Sequence, residues 1–294
     1  MVSFFKLKKI QKNMKKLLPR RPSNGNKGTF GKVLILGGCK GMAGSVCLST
    51  EAALRSGSGL VCLGTVLSQQ SIVQTKLTEA TTLGFDEKDG AFSGKDADEI
   101  IKKINSCDAC AFGMGFSRTI GAEHTVFEII RNAKKPLIID ADGINALSRN
   151  INILKNINSE AVLTPHPGEM SRLLNLPVEE IQKNRTQIAK KFAKEYNVVL
   201  VLKGENTVVA SPDGKIFINP TGNCGMATGG SGDVLSGIIA SFSGQGLGLF
   251  DAAVLSVYLH GRAGDIAAKK YTGFGMKAGD IVEALPTAIK ELLH

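Results

Sequence analysis

From Lys32 onward the chain alternates short runs that are apolar at nearly every position with longer stretches whose apolar residues recur at helical spacing. KVLILGG (32–38), GLVCLGTV (59–66), CDACAFG (107–113), PLIIDAD (136–142), AVLTP (161–165) and VVLVLKG (198–204) are the strand candidates. Continuous apolar character implies burial on both faces, as in a parallel sheet covered by helices. The intervening helices are expected at about 44–56, 122–133, 167–174 and 178–196. NTVVAS and KIFINP flank a turn at Pro212, Asp213 and Gly214 and read as a hairpin. A helical tail follows at 233–244, 250–270 and 279–293, with the loop Gly273 to Gly279 keeping the last two helices apart. Apolar residues on both sides of these late helices suggest self-association, as a homo-oligomer up to a tetramer. The pattern predicts an α/β fold, a three-layer doubly wound, mostly parallel sheet, in one domain over 22–294.

Composition changes this picture little and charge changes it at one end. With 294 residues, 43% of them hydrophobic, and a mean hydropathy of +0.05, the chain can bury a large core. No apolar run approaches the roughly 18 residues of a membrane span and the N-terminus lacks the shape of a signal peptide, so a soluble cytoplasmic protein is expected. The net charge of +10 would suggest a nucleic-acid partner if it were spread over the fold. Residues 1–50, however, hold eleven Lys or Arg and no acid, which leaves the rest of the chain near neutral and argues against nucleic acid. Much of the excess lies in FFKLKKIQKNMKKLLPRR (4–21), part of a basic extension over 1–21. This segment reads either as an amphipathic helix for a surface or as a solvated tail; its lack of serine and its late arginines favour the tail over an import signal. Six scattered cysteines, with only Cys107 and Cys110 near metal spacing, read as free thiols rather than a zinc site.

In a doubly wound sheet the residues just after each parallel strand share one cleft. Those residues are glycine-rich or polar here: Gly37 to Ser45, Gly113 to Gly115, Asp140 to Asn145, Thr164 to Glu169 and Lys203 to Thr207. The densest segment is NPTGNCGMATGGSGDVLSGIIASF (219–242), where Gly229, Gly230, Ser231 and Gly232 offer backbone N–H groups to an anion and Asp233 is the only acid. A base beside an anion hole suits phosphoryl transfer to a hydroxyl. The bland alternative is a tight turn with Asp233 as a helix N-cap. GGCKGMAGS does not space its glycines as GxGxxG, and no Walker A loop occurs, so a plain Rossmann or P-loop site is not expected. His166 is held between two prolines, which favours a fixed functional placement over a surface role. Asp140 and Asp142 either hold Mg²⁺ through water or cap the next helix, with capping the more natural task for Asp142. Lys203 either reaches a phosphate or ends its strand at the surface.

The ordered blocks KGTFGKVLILGG, GMAGSVCLSTEAALRSGSGLV, IIDADGINAL, LTPHPGEMSRLL, VLVLKGENTVV and NPTGNCGMATGGSGDVLSGIIA resemble the ADP- or ATP-dependent NAD(P)H-hydrate dehydratases, a ribokinase-like family, over residues 22 to 294. The resemblance implies repair of the S form of hydrated NADH or NADPH, with ADP or ATP as co-substrate and Mg²⁺ as cofactor. It places Gly115 and His166 against the hydrated dinucleotide; Lys203, Gly204, Glu205, Asn206 and Thr207 on the adenine nucleotide; Gly232 on its phosphates; and Asp233 at the reacting hydroxyl. Ser45 stands where the family usually has alanine, in contact with the same substrate. The implied chemistry is phosphorylation of the ring hydroxyl with Asp233 as base, followed by loss of phosphate driven by the ring nitrogen. A chain without the epimerase domain that often accompanies the family leans toward the ADP-using type. The rivals are a ribokinase-like small-molecule kinase and a non-catalytic nucleotide-binding protein.

Overall fold

A computed structural model of the chain describes residues 4–294, with side chains from Lys9 onward. Helix α1 (Phe4–Leu17) precedes β1 (Lys32–Leu36), α2 (Ala43–Arg55), β2 (Leu60–Val66), α3 (Leu67–Lys76) and β3 (Thr81–Phe85). A two-residue ribbon, β4 (Glu87–Lys88) with β5 (Ala91–Phe92), leads to α4 (Ala97–Asn105), β6 (Ala109–Phe112), α5 (Ile120–Asn132), β7 (Leu137–Ile139) and α6 (Asp142–Leu147). Then come β8 (Ala161–Leu163), α7 (Pro167–Leu174), α8 (Val178–Lys183), α9 (Arg185–Tyr196), β9 (Val199–Leu202), β10 (Val208–Ala210) and β11 (Ile216–Ile218). The chain closes with α10 (Ser231–Gly244), α11 (Leu249–Gly275) and α12 (Ala278–Leu293).

The main sheet runs β11-β10-β9-β8-β7-β6-β1-β2-β3. All pairs from β9 to β3 are parallel, while β10 is antiparallel to both β9 and β11. Alternation within strands divides the interior into two cores. Val33 and Ile35 of β1 join the core beneath α2 and α10–α12, whereas Leu34 and Leu36 join the core beneath α4–α9. Each face is apolar because each is covered, which is why these strands lack a polar side in the sequence.

On one face, α10 lies so close to α2 that a Cβ at Gly237 would collide with the carbonyl oxygen of Ser49. The two backbones touch without an intervening side chain, which only glycine permits.

Several elements depart from the sequence expectation. The stretch 67–106, for which no element is predicted, contains α3, β3, the small ribbon and α4. Helix 178–196 is two helices broken at Asn184. α10 starts two residues early, at Ser231, so Asp233 is not its N-cap; Gly230, with φ +91°, is. α11 passes 270 and breaks at Thr272, whose φ is +64°.

The basic segment is not a solvated tail where it is described. Met14 is buried, Ile10, Leu17 and Leu18 pack against the helical core, and Gln11 Nε2 donates to the Glu291 carbonyl oxygen at 3.0 Å. Thus α1 rests on α11 and α12. The late helices direct much of their apolar surface to α10, to one another, to the sheet and to α1, while Phe274 on α11 and Leu293 on α12 stay exposed. No helix among the described residues is long and apolar enough to cross a membrane. The cysteines are free; Cys110 is fully buried and Cys224 exposed.

Candidate active site

Adjacent strand ends bring the predicted segments together through backbone hydrogen bonds. Lys203 N donates to the Pro165 carbonyl oxygen at 2.9 Å, Thr164 N to Ile139 O at 3.1 Å, and Asp140 N to Phe112 O at 3.1 Å. The four strand ends therefore form one ledge, and the first turn of α10 hangs over it.

The centre of the ledge is a buried ionic cluster. Lys203 Nζ donates to Asp140 Oδ1 at 2.7 Å and lies 3.9 Å from Glu169 Oε2. Asp140 also accepts from Ser236 Oγ at 2.7 Å and from the Ala141 backbone N–H at 2.9 Å. Ala141 has φ +49° and ψ −116°, a strained conformation for a residue with a Cβ, held at the point where the strand turns into the site. Lys203 thus points inward rather than lying on the surface, and its ammonium is already engaged by a carboxylate. The two carboxylates of the sequence pair take different tasks. Asp140 spends both oxygens on these contacts. Asp142 accepts from Ser117 N at 2.9 Å and from Asn145 Nδ2 at 3.1 Å, pinning a loop rather than capping α6, whose N-cap is Ala141.

One ammonium faces several carboxylates, and the imbalance sets their ionisation. Burial pushes the Asp140 carboxyl up, but the Lys203 charge and the bonds from Lys203, Ser236 and Thr164 more than reverse this and hold it below its ordinary value. Burial lowers Lys203, and Asp140 and Glu169 outweigh it, so the ammonium persists. Glu169 is raised, by burial first. Asp233 is pushed up to about 7 by burial and by the negative charge of Asp140, against the pull of Lys203 and a contact with the Ser45 hydroxyl. A carboxylate at about 7 is poised to take a proton near neutral pH.

The surroundings of Asp233 suit an anion. The backbone N–H groups of Gly230, Gly232 and Asp233 have no acceptor among the described residues, and the Ser231 hydroxyl is buried without a partner. At Gly232 a Cβ would lie 3.1 Å from Lys203 Nζ and 3.7 Å from Asp140 Oδ2, so its absence leaves open the space above the ion pair. At Gly229 nothing lies within 4 Å of where a Cβ would be. These positions form a helix N-terminus over a lysine, the arrangement that favours phosphates.

Ser45 sits in the first turn of α2, with its Oγ beside Gly115 and its hydroxyl toward Asp233. His166 is the N-cap of α7: its Nδ1 accepts from Gly168 N at 3.0 Å and Glu169 N at 3.3 Å, while Glu169 Oε2 accepts from His166 N at 2.8 Å. Pro167 at N1 completes this capping box. The reciprocal bonds leave Nε2 as the protonated nitrogen, and burial, with Lys203 and Arg172 nearby, lowers the imidazole so that it stays neutral. Gly204, Glu205, Asn206 and Thr207 form the turn between β9 and β10, closed by Thr207 Oγ1 donating to Gly204 O at 2.9 Å. They share the ledge only through Lys203. A larger cavity of about 780 Å³ lies elsewhere, lined by Gln11, Tyr258, Arg262 and Glu291, and touches none of these groups.

Two contributors are not singled out by the sequence reading. Ser236, one turn after Gly232, anchors Asp140. His260 on α11 lies behind the Ser231 backbone, and burial pushes it down to about 4, so it is neutral packing rather than a titrating group. A serine three positions after the GxGD aspartate was a readable signal; His260 had none.

The profile of the NAD(P)H-hydrate dehydratase family matches residues 33–287. This chain belongs to that family. The bifunctional NAD(P)H-hydrate repair enzyme of Moorella thermoacetica is 44% identical over 276 residues, which cover 94% of this chain and 52% of the relative. The chain thus spans about half the length of the first curated relatives it matches. The crystal structure of ADP/ATP-dependent NAD(P)H-hydrate dehydratase from Bacillus subtilis, co-crystallised with ATP and Mg²⁺, is 31% identical, with a TM-score of 0.82 over 96% of this chain and 97% of that one. A ribokinase-like superfamily protein from Enterococcus faecalis, 29% identical, superposes with a TM-score of 0.81 over 96% of this chain and 94% of its own. The fold of this chain is therefore ribokinase-like, as the sequence predicts.

Proposed function

We propose that this chain dehydrates the S form of hydrated NADH or NADPH, using ADP or ATP, and so restores the reduced nicotinamide. The observation that supports this most is the Asp233 carboxylate. Raised to about 7, it sits in the first turn of α10 beside the free N–H groups there and in contact with the Ser45 hydroxyl, itself next to Gly115.

The nucleotide approaches along the turn 203–207 and presents its terminal phosphoryl group to Gly229, Gly230, Ser231 and Gly232. The nicotinamide ring stands against Gly115 and His166, with its hydroxyl at Asp233. Asp233 takes the hydroxyl proton as the oxygen attacks phosphorus, and the backbone N–H groups meet the charge gathering on the phosphoryl oxygens. The ring nitrogen lone pair then expels phosphate from the adjacent carbon, and loss of a proton from the next ring carbon to solvent restores the dihydropyridine, so a kinase-like first step ends as a net dehydration. His166, neutral with its proton on Nε2, donates toward the dinucleotide.

No cluster of three or more metal-ligating side chains occurs among the described residues, and Asp140 is already engaged by Lys203, Ser236 and the Ala141 N–H. Such a donor set fits Mg²⁺ carried on nucleotide phosphates rather than a protein cage, with Glu169 the cluster carboxylate left to face it. When bound, Mg²⁺ offsets phosphate charge.

The test is incubation of the protein with hydrated NADH, Mg²⁺ and either ADP or ATP while following reduced-nicotinamide absorbance. Recovery with either nucleotide is expected and identifies the donor. A stable phosphorylated product, or no recovery with both, overturns the reading.

A further inference from the structure

Bordered by Ser117, two residues from Gly115, and by Arg172, whose charge reaches His166, lies a cavity of about 190 Å³ whose charged lining the reaction does not use. Three arginines from three elements converge there: Arg118 from the loop after β6, Arg149 after α6 and Arg172 on α7. Two carboxylates oppose them. Glu123 pairs with Arg149 at 2.6 Å, and Asp142 meets Arg118 at 3.4 Å. Arg172 has no ion-pair partner among the described residues; its Nε donates to Asn145 Oδ1 at 3.0 Å, and Asn145 in turn donates to Asp142. A hydrogen-bonded chain from Arg118 through Asp142 and Asn145 to Arg172 therefore fixes the rim, and one positive charge remains in excess.

The same chain ties the cavity to the substrate wall. Asp142 holds the backbone N–H of Ser117, a residue at φ +72° only two positions from Gly115. Arg172 also lies close enough to His166 to disfavour a proton on its ring. Guanidinium groups arranged as a fork are suited to phosphate oxygens, and Arg172, held by Asn145 through Nε alone, has no carboxylate to neutralise it.

We propose that the Arg118–Arg149–Arg172 cavity seats a phosphate of the hydrated dinucleotide. This rests on the dehydratase reading and adds to it the part of the substrate that would set its affinity. Two phosphates offer the same chemistry, the pyrophosphate bridge and the 2′-phosphate that distinguishes NADPH.

The variants Arg172→Gln and Arg149→Gln separate them. Losing a charged hydrogen bond to phosphate is expected to raise KM for the hydrate by about tenfold or more, while KM for ADP or ATP is retained. A rise for both hydrates identifies the pyrophosphate; a rise for the NADPH hydrate alone identifies the 2′-phosphate. Unchanged KM for both hydrates in both variants overturns the proposal. Binding of ADP-ribose and its 2′-phosphate, measured with the nucleotide site saturated by a non-hydrolysable ATP analogue, needs no turnover. A wild-type protein inert toward both hydrates counts against the dehydratase reading alone. In that case Arg172→Gln must still weaken at least one of these two probes, and if it weakens neither the cavity is not a phosphate seat.

Discussion

Replacing Asp233 by Asn is expected to abolish turnover and, at alkaline pH, to strengthen the fold. The folded carboxyl titrates at about 7, above the ordinary value near 3.8 that it regains on unfolding. Between those values the folded protein holds a proton that the unfolded chain has released, so stability falls as pH rises through the window and is fully lost above the folded value. A shift of this size corresponds to about 4 kcal/mol against the native state above pH 7. Because Asp233 is half-exposed toward the cleft, solvent screening reduces this to about 2 kcal/mol. Asn cannot ionise and escapes the penalty. Between pH 5.5 and 8.5 its advantage should grow by about 1 kcal/mol after screening, which for a chain of this size is roughly 1.5–2 °C in Tm. The assay is thermal unfolding of both proteins across that range, with turnover measured in parallel. Loss of the base should cost roughly 10²–10⁴ in kcat, with nucleotide binding retained. An Asn variant whose Tm advantage is flat with pH, or is negative at pH 8.5, refutes the account of a carboxylate held under charge repulsion; near-normal turnover removes it from the base role.

Lys203→Met leaves Asp140 and Glu169 buried without their cation and should cost about 3–5 kcal/mol, read by chemical denaturation at pH 7; a loss below about 1 kcal/mol would mean the cluster is not charge-coupled. Gly232→Ala adds a methyl group 3.1 Å from Lys203 Nζ, in the space open to phosphate. Nucleotide Kd should rise at least tenfold with Tm nearly unchanged, since alanine favours a helix by about 1 kcal/mol over glycine; unaltered calorimetric binding would place the phosphates elsewhere. Met14→Ala removes the buried anchor of α1 and should cost about 2 kcal/mol or release the helix, seen as faster amide exchange over residues 9–17. If neither stability nor exchange changes, α1 is not docked.

The parallel strands were legible because burial on both faces leaves uninterrupted apolar runs such as KVLIL and VLVL, with glycine or a polar residue marking each end. That same rule located the site segments, since strand ends in a wound sheet point to one cleft. The region 67–106 was illegible for a different reason. α3 buries only Gln69 and Val73, and β3 is a half-exposed edge strand with a glycine inside, so neither carries a strong period. α4 did carry one, in Ala97, Ile100 and Ile104, and could have been found. The ionic cluster joins Asp140, Glu169, Lys203 and Asp233 from strand ends and helix starts far apart in sequence, so the burial and the neighbouring charge that raise the Asp233 carboxyl exist only after folding. The docking of α1 was hidden because its lysines dominate its composition while a few apolar side chains decide its place.

The contact between α2 and α10 has a consequence for how the enzyme can move. Ser45 rides on the first turn of one helix and Asp233 on the first turn of the other, and the two helices meet main chain to main chain at Ser49 and Gly237. No side chain lies between them at that point to change rotamer and let them slide. The separation of hydroxyl and carboxylate is therefore built like a caliper locked at one setting. Adjustment to ligands of different size falls to the loops on either side, while the spacing between Ser45 and Asp233 stays constant.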